Sequence, residues 1–245
     1  MAESSPSLSI VVPLHNEETI LVEQITGMVG GLRAEGVRFE CLLIENGSTD
    51  GSAQQCLQLS ERFQEVRVLS LPVGDFGLAL REGILKAENE VVVIFNVEFW
   101  SVDFLHSALP LLGTHDLVIG SKAAPGAHDE RPWLRRMVTR SFNLILALAC
   151  GLEGTDTHGM KAFWRRKFAP LAEACVTDGF VFDTELVLRA QRAGLSKCEL
   201  PTDVREMRAP SARSLARRVP SVLRNLWLLW RTLPRPSTSP TPRER

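Results

Sequence analysis

Acidic and amide side chains recur where apolar runs stop. Val91-Val-Val-Ile-Phe95 breaks into Asn96-Val97-Glu98, Leu8-Ser-Ile-Val-Val-Pro13 into His15-Asn16-Glu17-Glu18, and Phe39-Glu-Cys-Leu-Leu-Ile44 into Glu45-Asn46-Gly47-Ser48-Thr49-Asp50. Carboxylates beside the backbone N–H groups of a Gly-Ser loop suit a nucleoside, whose ring N–H and ribose hydroxyls need acceptors. A carboxylate after the Val91 run suits a divalent cation on a diphosphate, since Mg2+ typically takes one or two carboxylates with phosphate oxygens. In extended chain, residues i and i+2 point the same way, so Asn96 and Glu98 are expected to face one site together. Taken alone, that triplet reads as an ordinary polar strand end. The other two acidic loops shift the balance.

The elements that must position these loops follow from periodicity. Short β-branched runs at 8–13, 39–44, 66–71 and 91–95 alternate with helical patterns from Thr19 to about Glu35, from Gln54 to Gln64 and from Gly77 onward. Runs apolar throughout are strands buried on both faces, and strand–helix alternation predicts a parallel, doubly wound α/β sheet. Ligands of such sheets sit outside the carboxyl ends of the strands. Glu17 and Glu18, Glu45, and Glu98 then share the ligand edge. Further strands are expected at Leu117–Ser121, as a short strand led into by the loop Asp156–Phe163, and at Ser196–Leu200, with helices at Arg131–Gly151, Phe182–Gly194 and 211–233.

The chain has 245 residues and is 44% apolar, which suits one large domain with a full core. Its charge of −1 is uneven: residues 211–245 hold eight Arg and no Lys against the single acid Glu244, a net of +7, which leaves −8 for the remainder. A basic tail on an acidic body suggests an anionic partner. Five widely spaced cysteines without a C-x-x-C pair read as reduced thiols of a cytosolic protein. The first residues lack the basic and apolar regions of a signal peptide, and no apolar run approaches a membrane span of about 18–20 residues. With no Walker sequence and no G-x-G-x-x-G, P-loop and dinucleotide readings lose support.

Ser9-Ile-Val-Val-Pro13-Leu-His-Asn16-Glu17, Leu43-Ile-Glu45-Asn-Gly-Ser-Thr-Asp50, Gly77-x-Ala79-x-Arg81-x-Gly83 and Asn96-Val-Glu98 resemble, in order and spacing, the family-2 glycosyltransferases of the GT-A fold, a Rossmann-like architecture. Gly120-Ser-Lys122, Asp156-Thr-His-Gly159-Met-Lys161-Ala-Phe163 and Phe182-Asp183-Thr-Glu185 are similar to the dolichyl- and polyprenyl-phosphate sugar synthase branch. The resemblance covers roughly residues 8–205. It implies an inverting transfer from a UDP- or GDP-linked sugar with Mg2+ or Mn2+. By position it implies Pro13, Asn16, Glu17, Glu45, Asn46, Ser48, Arg81 and Asn96 at the nucleotide, and Glu98 with Asn96 at the metal. Lys122, Arg131, Arg135, His158, Gly159 and Lys161 would meet sugar or acceptor, and Asp183 and Glu185 would be catalytic. The family usually carries Asp-Asp-Gly-Ser where this chain has Glu45-Asn46-Gly47-Ser48, and Asp-x-Asp where it has Asn96-Val97-Glu98. Phe76 replaces a lysine often found before the third helix. Amides are poorer ligands than carboxylates for a hard cation, so a catalytically impaired homologue, serving as a nucleotide-binding or protein-interaction module, is the alternative.

Four Arg gather in Arg131-Pro-Trp-Leu-Arg135-Arg136-Met-Val-Thr-Arg140. Arg forks suit phosphate, although a solvated basic face accounts for them equally well. A phosphate acceptor is already ionised at neutral pH, so Asp183 and Glu185 are expected to position rather than deprotonate; a base role stays open for a hydroxyl acceptor. In 211–233, Leu215, Val219, Val222, Leu226, Leu229 and Leu233 form one helical stripe flanked by Trp227 and Trp230 with interspersed Arg, a pattern of membrane-surface helices; packing on the domain or another subunit is the other reading. The resulting organisation is a disordered 1–7, a GT-A domain at 8–210, the basic helix 211–233 and a disordered 234–245. The expected partners are the nucleotide sugar, a lipid phosphate and the cytosolic membrane face; nucleic acid is not among them, and an oligomer stays open.

Overall fold

The computed structural model describes residues 6–127, 133–203 and 212–233, excluding the side chains of 133–135, 138 and 212–219. Seven strands form one sheet: β1 (Leu8–Leu14), β2 (Phe39–Asn46), β3 (Val66–Leu71), β4 (Val91–Ile94), β5 (Leu117–Ser121), β6 (Lys161–Trp164) and β7 (Lys197–Pro201), in the order β3-β2-β1-β4-β6-β5-β7. The first four strands are parallel, and β7 runs parallel to β5. Between β4 and β5 lies β6, antiparallel to both. The sheet is thus mostly parallel, as expected, with one reversed strand.

Strand composition explains the layering. All of Val91-Val-Val-Ile94 is buried; Val91 and Val93 enter one core, Val92 and Ile94 the other. β1 divides likewise, with Ile10 and Val12 on one face and Val11 on the other. A strand covered on both sides has no polar face to alternate with. Helices α1 (Leu21–Ala34), α2 (Ser52–Arg62) and α4 (Val102–Leu111) cover the first face. The second is covered by α3 (Phe76–Lys86), α5 (Trp133–Cys150), α6 (Arg165–Ala174), α7 (Val181–Arg192) and α8 (Ala212–Thr232). Neither α4 nor α6 was anticipated from periodicity. Each carries a proline, Pro110 and Pro170, which masks a helical pattern; Ser101 nevertheless caps α4 by accepting from Phe104 N at 3.1 Å.

Because β2, β1 and β4 are adjacent and parallel, Glu45 at the end of β2 and the loops carrying Glu17 and Glu98 lie side by side on the carboxyl edge of the sheet. Pro13 lies two residues past the last β1–β4 pair, Val11 with Ile94, so its missing N–H removes no bond from that ladder.

The last helix corrects one expectation. Leu229 and Asn225 are buried, and Val222, Leu226 and Leu233 pack against the second core. The leucine stripe therefore faces the domain, while Leu223, Trp227 and Trp230 are exposed. Leu215 and Val219 lie among the side chains outside the description, and so do Arg213, Arg217 and Arg218. The disordered ends expected at 1–7 and 234–245 fall almost wholly outside the described residues; Pro6 and Ser7 lead directly into β1. Among the described residues, no helix is long and apolar enough to cross a membrane.

Candidate active site

The loops after β1 and β2 are laced together by short polar side chains. Asn16 is left-handed, with φ 58°, a conformation that Asn tolerates because its amide bonds locally. Its Oδ1 accepts from Thr49 N at 2.8 Å, and its backbone N donates to Ser48 Oγ at 3.0 Å. Glu17 N donates to Ser52 Oγ at 2.8 Å, and Glu18 Oε2 accepts from Gly51 N at 3.0 Å. Glu45 is buried, and its Oε1 accepts from Ser48 N at 2.6 Å, closing the Gly-Ser turn. Gly47 is also left-handed; a Cβ there would lie 3.1–3.2 Å from the Val73–Gly74 backbone. The 47–49 turn and the 73–75 loop are thus in contact.

Asn46 joins these loops to the third helix. Its Oδ1 accepts from Asp75 N at 2.9 Å, and its carbonyl accepts from His15 Nδ1 at 2.8 Å, which fixes the proton on that nitrogen. Asp75 caps α3, accepting from Leu78 N at 2.8 Å, and the same oxygen accepts from Gly179 N at 3.0 Å. Arg81 braces the far side of this junction: Nη2 donates to Cys175 O at 2.7 Å and to Thr177 O at 3.3 Å, with the guanidinium over the Phe182 ring. In this arrangement Asn46 and Arg81 hold backbone, where direct ligand contact was expected of them.

The residues after β4 depart from the extended reading. Asn96 and Phe99 exchange backbone hydrogen bonds at 3.2 and 3.1 Å, so Val97 and Glu98 are the central residues of a turn. Strand alternation ends before this point, and Asn96 and Glu98 share a turn rather than a strand face. Among the described residues, no three His, Cys, Asp or Glu side chains come together as a metal centre. A cation that takes most of its oxygens from a diphosphate and water needs only one or two carboxylates. The hard oxygens of Glu98 and Asn96, both partly buried at the ligand edge, suit that kind of site.

A charged cluster occupies the other half of the edge. Lys122, after β5, pairs with buried Asp156 at 2.8 Å. Burial alone would raise the Asp156 pKa, but Lys122 and the bond from His158 N hold the carboxyl below the usual 3.8. His158 Nε2 lies 3.0 Å from Phe180 O, which can only accept; the proton is therefore on Nε2, and Nδ1 faces Thr157 Oγ1 at 2.9 Å. Burial keeps His158 below its ordinary 6.5 despite nearby Asp183 and Asp156. Lys161 is fully buried and donates to Gly159 O at 2.9 Å and to Asp183 Oδ2 at 2.8 Å. Asp183 Oδ1 is buried with no hydrogen-bond partner among the described residues, a costly state for a carboxylate oxygen.

Gly159 and Glu185 are occupied in holding the frame. A Cβ on Gly159 would fall 1.7 Å from Gly120 O, so β5 and the 156–160 loop touch backbone to backbone. Glu185 is fully buried. Its carboxylate accepts from Val176 N, Thr177 N and Thr177 Oγ1 at 2.7–3.1 Å and pairs with Arg189 at 2.7 Å. It anchors the 175–177 loop. Sequence reasoning missed this use, and it missed Asp75; the signal for Asp75 was an acid directly before an apolar helical run. Gly77 lets α3 meet that segment, since a Cβ would lie 2.7 Å from Phe182 Cβ, and Phe76 stacks on Phe180 at 5.1 Å. Arg131, and the side chain of Arg135, lie outside the described residues. Burial pushes the Cys175 thiol up to about 12, which removes thiolate chemistry from this loop.

A mostly parallel doubly wound sheet, acidic Gly-Ser loops on adjacent strand ends and a charged cluster beside the reversed strand define a GT-A-type fold. It is shared with the glucosyl-3-phosphoglycerate synthase of Mycobacterium tuberculosis bound to UDP (TM-score 0.67, 19% identity, 91% of this chain and 80% of that one), an enzyme also seen with Mn2+ and UDP-glucose. The model of Glycosyl transferase family 2 matches residues 9–170, and the chain belongs to that family. It is 26% identical over 205 residues to glycosyltransferase AglD of Haloferax volcanii, covering 80% of this chain and 32% of that protein. It is 24% identical over 224 residues to the dolichyl-phosphate beta-glucosyltransferase of Saccharomyces cerevisiae, covering 82% and 67%. The chain thus spans about a third of the archaeal relative's length and two thirds of the yeast one's.

Proposed function

We propose that this chain transfers a sugar, with inversion, from a UDP- or GDP-sugar to a polyprenyl or dolichyl phosphate at the cytosolic face of a membrane. The observation that carries this reading is the Asp183 carboxylate: one oxygen is held by Lys161, and the other is buried with no hydrogen-bond partner among the described residues, near His158. A sugar hydroxyl donating to Asp183 Oδ1 would satisfy it and orient the ring. Lys122 would supply positive charge for an acceptor phosphate, and Arg131 and Arg135 would do so by the resemblance, while His158 Nε2–H stays with Phe180 O and holds that loop. The phosphate oxygen attacks the anomeric carbon, the bond from that carbon to the donor diphosphate breaks, and the nucleoside diphosphate leaves. Pro13, Asn16, Glu17, Glu45 and Ser48 would frame the nucleoside. Asn46 and Arg81 would act through the loops they brace, and Glu185 through the 175–177 loop. Glu98, with Asn96 beside it, would hold a Mg2+ or Mn2+, which would neutralise charge on the leaving diphosphate. The yeast relative's name, a dolichyl-phosphate glucosyltransferase, supports the acceptor class.

The amides at Asn46 and Asn96 favour a second reading, a nucleotide-binding module without turnover. Calorimetry with UDP and GDP, with and without Mn2+, separates the two when joined to a donor-hydrolysis assay. Affinity that tightens with metal, together with hydrolysis or transfer, is expected. Metal-insensitive binding without turnover would leave the module.

A further inference from the structure

We infer that α5 and α8 together form one docking face for an anionic lipid bilayer. This deepens the membrane part of the reading above and rests on it. Both helices bury one side in the same core: Leu146 and Cys150 of α5, Leu229 and the partly buried Leu226 of α8. Their opposite sides therefore look outward on the same side of the sheet. On α5 the exposed residues Met137, Leu144, Ile145 and Leu148 follow steps of seven, one and three, a single helical stripe. On α8 the stripe is Leu223, Trp227 and Trp230. Leu148 is 80% and Trp230 68% exposed, unusual for large apolar side chains in a monomer when so many lie together.

Charge selects the occupant. Arg136, Arg140, Arg224 and Arg231 are exposed on these two helices, and neither 133–150 nor 212–232 holds an acid. A symmetric second copy would set this face against itself, Arg opposite Arg. A bilayer with anionic headgroups complements the charge, and Trp at the headgroup level suits an interface. The face also leads to the candidate active site. Arg224 pairs with Asp178, and Asn225 Nδ2 donates to Asp178 Oδ1 at 2.6 Å. In the same loop, Val176 and Phe180 are exposed, and Phe180 O is the acceptor for His158. A lipid-borne phosphate would enter from the bilayer along this loop.

The test is co-sedimentation of the full chain, without nucleotide sugar, with vesicles of equimolar phosphatidylcholine and phosphatidylglycerol and with vesicles of phosphatidylcholine alone. Wild type is expected to partition at least about tenfold better onto the anionic vesicles. Leu144→Ser with Leu148→Ser, on α5 alone, and Trp227→Ala with Trp230→Ala, on α8 alone, should each lower that partition by at least about tenfold. Thermal melts matching wild type confirm that the variants fold. Undiminished binding of the α5 variant would overturn the composite face and leave α8 to act alone. A wild-type dimer in light scattering that either variant dissolves, without vesicle binding, would overturn the bilayer as occupant. Because no donor is present, failure here leaves sugar transfer standing, and an inactive enzyme that still sediments leaves the face standing.

Discussion

Glu185 distinguishes a structural acid from a chemical one. It is fully buried, and its carboxylate holds Val176 N, Thr177 N, Thr177 Oγ1 and Arg189. Arg189 is itself mostly buried, with its side chain 14% exposed. Glu185→Ala would strand that guanidinium and two backbone donors. Removing one partner of a buried pair costs about 3–5 kcal/mol. A domain of this size loses about 2–4 °C of Tm per kcal/mol, so the fall should lie between about 6 and about 20 °C. Scanning calorimetry reads it directly. Loosening of 175–179 should also propagate to Asp75 through Gly179 N and weaken nucleotide binding. A Tm within about 2 °C of wild type, combined with lost turnover, would refute this and make Glu185 a participant in the reaction.

Four further outcomes follow from the geometry. Glu98→Gln should remove the Mn2+-dependent gain in UDP affinity while metal-free UDP affinity holds, and Asn96→Asp should keep or increase it; calorimetry checks both. Gly159→Ala, placing a Cβ 1.7 Å from Gly120 O, should cost at least about 3 kcal/mol, the upper part of the overpacking range, as read from the urea midpoint. His158 is held neutral in the fold below its ordinary 6.5, so the unfolded chain binds its proton more readily. Stability should then rise with pH up to about 6.5 and be lost as pH falls below it, and His158→Gln should flatten that slope in urea titrations at stepped pH. Asp183→Asn should lower kcat by at least about tenfold while UDP affinity holds, because the change falls on the sugar and acceptor side.

The first hundred residues were legible because their strands are short, β-branched and buried on both faces, which leaves one reading of period and length. The shared carboxyl edge for Glu45, Glu17 and Glu98 followed from that alternation; the order β2-β1-β4 came from the structure. The reversal of β6 was not legible: Lys161-Ala-Phe-Trp164 carries no mark of direction, and pairing is decided by which neighbours it meets. The turn at 96–99 was hidden because Phe95 and Val97 continue an apolar run through it. In the site, residue identity was more legible than residue task. Asn46, Arg81 and Glu185 all lie at the junction of three loops, but their partners are backbone groups up to 96 residues away in sequence. The stripe of α8 was read correctly as a stripe and assigned to the wrong side, since a 3.6-residue period says that a face is buried without saying in what.

The measurement that tests the central claim most directly is transfer itself. Purified full-length chain, Mn2+ or Mg2+, a UDP- or GDP-sugar and a polyprenyl phosphate in detergent should yield the sugar-phospholipid with inverted anomeric configuration, and Asp183→Asn should suppress the product. No turnover of any nucleotide sugar at any metal concentration, by protein that still binds UDP, would contradict the account.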